Sequence, residues 1–196
     1  LNELNKIRSH SSSSTSNPTT PLYEIHHQIL NTKNHGLPQN RPRWYCVGIR
    51  RDTFDGTPSV NQSGFRFPES IDCPPIHTLL DDVRDSDSAL PSGGTAKTNV
   101  ERAHQRLRSQ GTDPLTQTVI VDCDATVAKS SHMRDFSPCI TRSRARGHWI
   151  TSHKRYMFLS EMLRLQGFNP QRFYQTVTDH QLGQQIGNAM SVNVLE

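Results

Sequence analysis

The sequence contains few apolar residues. Ala, Val, Ile, Leu, Met, Phe, Trp, Tyr and Cys together make up 32% of its 196 residues. Adding the 11 glycines does not reach the ~45–50% that is typical of globular domains counted in this way. Because the apolar residues are also bunched, we expect part of the chain to fold. The Ser-rich stretch at residues 9–20 is expected to be a flexible insertion.

Long apolar runs and paired cysteines are also missing. No run approaches the ~20 apolar residues of a membrane-spanning helix, so we expect no membrane partner. No two of the four cysteines form a Cys-x-x-Cys pair, which argues against zinc, and we predict no metal site. Their wide spacing and the absence of a signal peptide favour a reducing compartment.

Acidic residues are absent from two stretches that are rich in Lys and Arg, residues 25–51 and 136–160. An acidic segment at residues 81–87 lies between them. The net charge is +4 and the pI is about 9.0. Two basic blocks and one acidic block indicate a surface with a polarised binding side, which suits a polyanionic partner.

Local patterns predict a chain of mixed helices and strands. Residues 22–30 are expected to form a strand or a short helix, residues 76–83 one or two helical turns, and residues 1–7 the tail of a helix. The other predicted strands lie at residues 44–49 and 118–123, and the predicted helices lie at residues 99–110, 159–165 and within 182–194.

Two arginines stand close together just before the predicted strand at residues 44–49. Arg41 and Arg43 follow Pro38 and Gln39 on an extended segment, where side chains at i and i+2 point to the same side. Two guanidinium groups there present forked donors to a phosphate or a base edge. Taken alone, two arginines with this spacing are more typical of a solvated loop before a strand.

Two more segments follow near the end of the sequence. Residues 155–168 combine Arg155 and Glu161 with the run Leu-Gln-Gly-Phe, and alone they describe a capped helix that packs on a core. Residues 185–189 read Gln-Ile-Gly-Asn-Ala, where Gly187 allows another backbone to approach closely.

In this order the three segments resemble motifs VIII, IX and X of the cytosine-5 DNA methyltransferase family. The resemblance covers about residues 22–50 and 137–196, and the part between them corresponds to the variable target-recognition region of that family. There are two departures from the family pattern. Asn169 separates Gly-Phe from the usual proline, and Met190-Ser191 replaces the usual Val-Pro.

The resemblance implies an α/β fold, namely the C-terminal edge of a doubly wound methyltransferase domain dependent on S-adenosyl-L-methionine, plus a small irregular target-recognition domain. Strands near residues 23–30 and 43–50 are expected to form a hairpin. The implied domains are a helix tail and disordered insertion at 1–21, the end of the catalytic domain at 22–50, the target-recognition region at 51–150, and motifs IX and X at 151–196.

The resemblance also assigns roles to single residues. Arg43 would contact a cytosine flipped out of double-stranded DNA, Arg41 would hold the active-site carboxylate or a phosphate, and Gln39 would contribute to the same loop. Asn188 and Ala189 would line the pocket of the cofactor S-adenosyl-L-methionine. Phosphates of the DNA would be bound by Arg142, Arg144 and Arg146, for which solvated surface charge is the alternative.

The groups that perform the chemistry of this family are missing. The family uses a thiolate from Pro-Cys-Gln, a glutamate from Glu-Asn-Val and a Gly-rich cofactor turn, and none of these occurs in the sequence. Since they normally precede motif VIII, we expect the chain to begin downstream of them, to be inactive alone and to need an N-terminal catalytic half as partner. The pair Pro138-Cys139 resembles the end of the recognition region, so Cys139 is not assigned as the nucleophile.

Three alternatives to a methyltransferase fragment remain open from the sequence. The chain could be one half of a split enzyme, a non-catalytic DNA-binding module, or a relative of the branch that methylates transfer RNA. The long recognition region favours DNA over RNA. The expected location is the nucleus in a eukaryote or the cytoplasm in a bacterium.

Overall fold

The structure is a computed structural model that describes residues 22–50, 64–84 and 90–195. The helix tail and insertion expected at residues 1–21 lie outside the described residues. Among those residues, no helix has the length and apolar character needed to cross a membrane. They belong to two compact units, of which the first contains residues 22–30, 43–50 and 64–68 and the second contains residues 31–42, 69–84 and 90–195.

The first unit is built on a two-stranded sheet of β1 (Tyr23–Asn31) and β2 (Pro42–Arg50). Both strands agree with the predictions, and the choice left open for the first of them is settled in favour of a strand. The rings of His27 and Trp44, one on each strand, have centroids 6.2 Å apart. Aromatic pairs across neighbouring strands of this kind stabilise a small sheet.

The second unit contains a four-stranded antiparallel sheet with the strand order β4-β3-β5-β6. Only β3 was predicted from the sequence. The other three strands have two or three residues each, which is too short to show an alternating pattern. The strands are β3 (Val119–Val121), β4 (His132–Arg134), β5 (Trp149–Ile150) and β6 (Arg155–Tyr156).

The helices of the second unit are α1 (Gly94–Ser109), α2 (Leu159–Leu165), α3 (Asp179–Asn188) and α4 (Val192–Leu195). The bounds of α2 are confirmed. The prediction of a helix start at residue 99 was wrong, because residues 94–98 continue α1 despite their glycine. The predicted last helix is two helices. The first of them starts early because the Thr178 hydroxyl accepts a hydrogen bond from the Gln181 N–H, 3.3 Å away, and caps it.

Short 3₁₀ turns complete the second unit, and the turn expected near residue 76 is confirmed. These turns lie at Thr32–Asn34, Ile76–Leu79, Arg142–Arg144 and Pro170–Arg172. The predicted class of mixed helix and sheet is therefore confirmed. The domain boundaries proposed at residues 21, 50 and 150 stay predictions.

The core of the second unit lies on both faces of the four-stranded sheet. Ile120 packs with residues of α2 and α3 on one face, whereas Val121 packs with residues of α1 on the other. Successive side chains of a strand point to opposite faces, so β3 contributes to both clusters. The sheet is thus covered by α1 on one side and by α2 and α3 on the other.

A buried ion pair connects β6 to α2. The Arg155 guanidinium donates to both carboxylate oxygens of Glu161 at 2.7 and 2.9 Å, and the Glu161 side chain is completely buried. Arg155 also donates to the carbonyl oxygens of Asp81 and Val83, and Glu161 accepts from the N–H groups of Asp81 and Phe158. These bonds hold the segment around residue 81 against α2.

Replacing Glu161 with Gln is expected to lower the free energy of unfolding by about 3–5 kcal/mol, because the buried Arg155 then lacks its counter-charge. Denaturant unfolding followed by circular dichroism measures this loss. Glu101→Gln is the matched control, since the Glu101 side chain is 50% exposed and its pair with Lys97 is worth about 0.5 kcal/mol or less. Equal losses in the two variants would contradict the role of the buried pair.

Candidate functional site

Gln39 lies at the centre of the predicted loop and is completely buried. Its side-chain amide donates to the carbonyl oxygen of Leu165 at 2.8 Å, and its side-chain oxygen accepts from the N–H of Ile140 at 3.1 Å. Main-chain bonds between Ser137 and the residues on either side of Gln39 support this arrangement. The Gln39 side chain therefore joins its loop to the end of α2 and to residue 140.

Arg41 is 2% exposed, and its guanidinium is directed at main-chain carbonyl groups. It donates to the carbonyl oxygens of Ile140, of Gly187 at 3.0 Å and of Ala189 at 2.6 Å. The Cys139 sulfur lies 3.4 Å from one guanidinium nitrogen. The planar fork of arginine suits this kind of multiple bonding, which a lysine ammonium does not reproduce. The loop with Arg41 and the turn at the end of α3 are thereby joined, although they are far apart in the sequence.

A second set of polar bonds holds the segment after α3. The Gln166 amide donates to the carbonyl oxygen of Ile186 at 3.0 Å and accepts from the Ser191 hydroxyl at 3.1 Å. The hydroxyls of Ser191 and Thr32 are 2.7 Å apart. The sequence analysis did not identify Thr32 or Ser191 as site residues. The only signal was that Ser191 departs from the family pattern.

Helix α3 packs closely on the turn Arg142–Arg144 through its glycines. A Cβ atom on Gly187 would lie 2.3 Å from the carbonyl carbon of Thr141, and one on Gly183 would lie 2.0 Å from the carbonyl oxygen of Ala145. Real Cβ atoms do not come this close to backbone atoms, so only glycine fits at either position. The close backbone approach expected at Gly187 is confirmed.

Asn188 ends α3 with its side chain exposed, and Ala189 is half-buried. The carbonyl groups of the residues on either side of Asn188 are both held by Arg41. The Asn188 amide is thus presented from a fixed turn. Arg43 lies half-buried on β2 in the first unit. The roles predicted for Arg43, Asn188 and Ala189 stay predictions.

The three arginines of the predicted phosphate-binding group have different surroundings. Arg142 is exposed in its 3₁₀ turn. The Arg144 guanidinium forms a two-point ion pair with the Asp122 carboxylate. The Arg146 guanidinium lies 4.1 Å above the centre of the Tyr156 ring, a cation–π contact. Arg142 and Arg146 are therefore exposed and form no ion pair with the residues that the structure describes, whereas the charge of Arg144 is balanced by Asp122.

Burial controls the titration of the groups near this surface. It raises the pKa of the Cys123 thiol to about 11, so this cysteine is protonated and weakly nucleophilic at pH 7. It lowers the pKa of His148, although the Asp122 carboxylate, 3.7 Å from His148 Nδ1, opposes this shift. His148 is therefore neutral at pH 7. The described part of the chain contains no group of three or more His, Cys, Asp or Glu side chains arranged to hold a metal ion.

Replacing Gly187 with Ala is expected to lower the free energy of unfolding by about 1–3 kcal/mol, because the added methyl group overlaps the backbone of Thr141 and Arg142. Thermal or denaturant unfolding measures the change. Gly93→Ala serves as the control, since a Cβ at Gly93 meets no atom within 4 Å and its extended φ of 162° suits any residue. If both variants are as stable as the original chain, α3 does not pack on the turn as described.

Comparison with known proteins extends over nearly the whole chain. A family model described as C-5 cytosine-specific DNA methylase matches residues 17–196. Type II methyltransferase M.NgoBI of Neisseria gonorrhoeae is 29% identical over 89% of this chain, and M.HaeII of Haemophilus aegyptius is 26% identical over 88%. The matches cover 49% and 48% of those two proteins, so the chain spans about half the length of the curated relatives it matches.

Solved structures give matches of similar extent. The Entamoeba histolytica methyltransferase EhMeth is matched over 89% of this chain and 51% of its own, with 19% identity and a TM-score of 0.48. The S. pombe Dnmt2 methyltransferase is matched over 89% of this chain and 55% of its own, with 18% identity and a TM-score of 0.47. Since the family model covers far more than half of the sequence, the chain belongs to the C-5 cytosine-specific DNA methylase family.

Proposed function

We propose that this chain is the C-terminal portion of a DNA (cytosine-5-)-methyltransferase that transfers a methyl group from S-adenosyl-L-methionine to a flipped cytosine. It acts together with an N-terminal half that supplies the Pro-Cys-Gln nucleophile. Family membership supports the reaction type. The observation that carries the assignment of the site is the bonding of Arg41 to the carbonyl groups of Gly187 and Ala189.

These bonds favour a supporting role for Gln39 and Arg41 of the motif VIII loop. The polar atoms of Gln39 and the guanidinium of Arg41 are directed at main-chain groups of the second unit. They hold the loop that precedes β2 in place within the second unit. Arg43 contacts the cytosine, which must leave the base stack before carbon 6 can be attacked. Gln39 and Arg41 thus act through the geometry of the loop.

The turn around Asn188 suits a contact with the cofactor. S-adenosyl-L-methionine has hydroxyl, amino and carboxylate groups, and a side-chain amide both donates and accepts hydrogen bonds. The Asn188 amide is exposed on a turn whose neighbouring carbonyls are held by Arg41, and the small side chain of Ala189 leaves room beside it. The cofactor supplies the methyl group, and Asn188 with Ala189 forms one wall of its pocket.

Double-stranded DNA is the macromolecular partner. Arg142 and Arg146 are both exposed and lie close together in the sequence, and Arg144 between them is paired with Asp122. Guanidinium groups at the surface bind phosphates and set the position of the duplex without reading its sequence. The enzyme therefore acts where DNA is kept, in the nucleus of a eukaryote or the cytoplasm of a bacterium.

Methyl transfer to duplex DNA tests the proposal. The chain alone, given labelled S-adenosyl-L-methionine, is expected to transfer no methyl group. Adding a polypeptide with the Pro-Cys-Gln half of a cytosine-5 DNA methyltransferase is expected to restore transfer. In the restored complex, Arg43→Ala is expected to lower the rate by about tenfold or more, since it removes a charged contact to the base. Arg108→Ala, at an exposed position of α1, is the matched control and leaves the rate unchanged.

Each other result points away from the proposal. Transfer by the chain alone contradicts its dependence on a second half. Salt-dependent binding to duplex DNA, with no transfer in any complemented complex, favours a non-catalytic DNA-binding module. Stronger binding to transfer RNA than to duplex DNA favours the RNA-methylating branch. An equal loss of rate in the Arg43 and Arg108 variants contradicts the proposed contact of Arg43 with the cytosine.

A further inference from the structure

Helix α1 and the loop that leads into β4 line a small, partly open cavity, here called the α1 cavity, with a volume of about 70 Å³. Its polar lining consists of Asn99, Arg102, Arg106, Ser130 and His132, and the rest is formed by small apolar side chains. A cavity needs only about 10–15 Å³ of such space to hold one water molecule, so a ligand of several heavy atoms fits. None of these residues belongs to the three methyltransferase motifs.

Two arginines, the half-buried Arg102 and the exposed Arg106, line the α1 cavity. Arg102 and Arg106 are four residues apart, so they share one face of α1, where like charges repel. Arg102 donates to the carbonyl oxygen of Val127 at 2.8 Å. In the part of the chain that the structure describes, no carboxylate forms an ion pair with either arginine, and the nearby Glu101 pairs with Lys97. An anion between the two guanidinium groups would relieve their repulsion.

The α1 cavity also contains a buried acceptor that needs a donor. Asn99 is 2% exposed, and its amide nitrogen donates to the carbonyl oxygens of Cys123 and Ala125, both at 2.8 Å. Its side-chain oxygen is buried and has no hydrogen-bond partner among the described residues. An unsatisfied buried polar atom is unfavourable. The ligand that completes this site therefore has acceptor oxygens for the arginines and a hydrogen for Asn99.

Histidine completes the polar lining without adding charge. Burial and the neighbouring Arg106 both lower the pKa of His132, so its imidazole is neutral at pH 7 and can donate or accept one hydrogen bond. The Ser130 hydroxyl donates to the carbonyl oxygen of Asp122 and keeps its lone pairs for a donor. The His132 imidazole and the Ser130 hydroxyl can therefore both bond to a ligand that carries acceptor oxygens and one proton.

We propose that the α1 cavity binds a phosphate group that carries a proton, with hydrogen phosphate as the smallest such ligand. Its unprotonated oxygens accept from Arg102 and Arg106, and its P–OH donates to the side-chain oxygen of Asn99. Sulfate has the same shape but no proton to donate at pH 7, so it leaves Asn99 unsatisfied. The site is independent of methyl transfer, and its occupancy is measured without the second half of the enzyme.

Calorimetric titration of the full chain with inorganic phosphate tests the proposal. Saturable binding is expected, with sulfate at equal ionic strength at least about tenfold weaker. A site with a buried acceptor rejects the analogue that lacks the matching donor. Arg106→Ala is expected to weaken phosphate binding by about tenfold, and Arg106→Lys less, since it keeps the charge. Arg108→Ala is the matched control on the same helix, outside the cavity, and leaves binding unchanged.

A second titration, with a nucleoside monophosphate, identifies the source of the phosphate. It is carried out at pH 6, where about half of a phosphate monoester keeps its second proton. Binding of inorganic phosphate alone supports a free-phosphate site, and binding of the monoester as well supports a site for a phosphorylated metabolite or a 5′-phosphate. Absence of phosphate binding overturns the proposal. Equal affinity for sulfate, or an Arg106→Ala variant that binds as tightly as the Arg108→Ala control, overturns it too.

Discussion

The geometry of the site depends on one buried positive charge. The Arg41 guanidinium is taken out of water and donates to carbonyl oxygens from residue 140 and from both sides of Asn188. A charge is buried only when its hydrogen-bonding groups find partners, so these carbonyls must lie where the planar fork can reach them. The requirement joins the loop before β2, the segment entering the Arg142–Arg144 turn, and the end of α3 in one arrangement.

The packing around Arg41 makes this arrangement rigid. Gly183 and Gly187 let α3 lie against the backbone of residues 141–145, where any side chain would collide. Helix α3 also packs on the face of the four-stranded sheet that carries Ile120, where Leu182 and Ile186 join the same apolar cluster. Close packing transmits small displacements, so a change in α3 would move the turn around Asn188 as well. The turn around Asn188, the loop with Arg41 and the Arg142–Arg144 turn are therefore mechanically connected in the second unit.

The distribution of charge shows which basic residues are available to a partner. Three arginines are used within the fold: Arg41 by carbonyl groups, Arg144 by Asp122, and Arg155 by Glu161. Arg142 and Arg146 remain exposed near the site, and Arg102 and Arg106 form a separate positive pair at the α1 cavity. Arginine charge inside the fold is thus held by a carboxylate or by carbonyl groups, and the exposed arginines are the ones accessible to a partner.

The sequence by itself determined the family, because motif residues sit at recognisable spacings, and it determined elements whose signals are local. The bounds of α2 follow from its flanking residues and its terminal glycine, and β2 follows from its aromatic and β-branched run. Only the tertiary structure decided the rest. Strands β5 and β6 have two residues each and exist through pairing with each other and with β3, which no local pattern encodes. Whether an arginine faces solvent or carbonyl groups was equally undetermined, since Arg41 and Arg142 look alike in sequence and differ only in what the folded chain places around them.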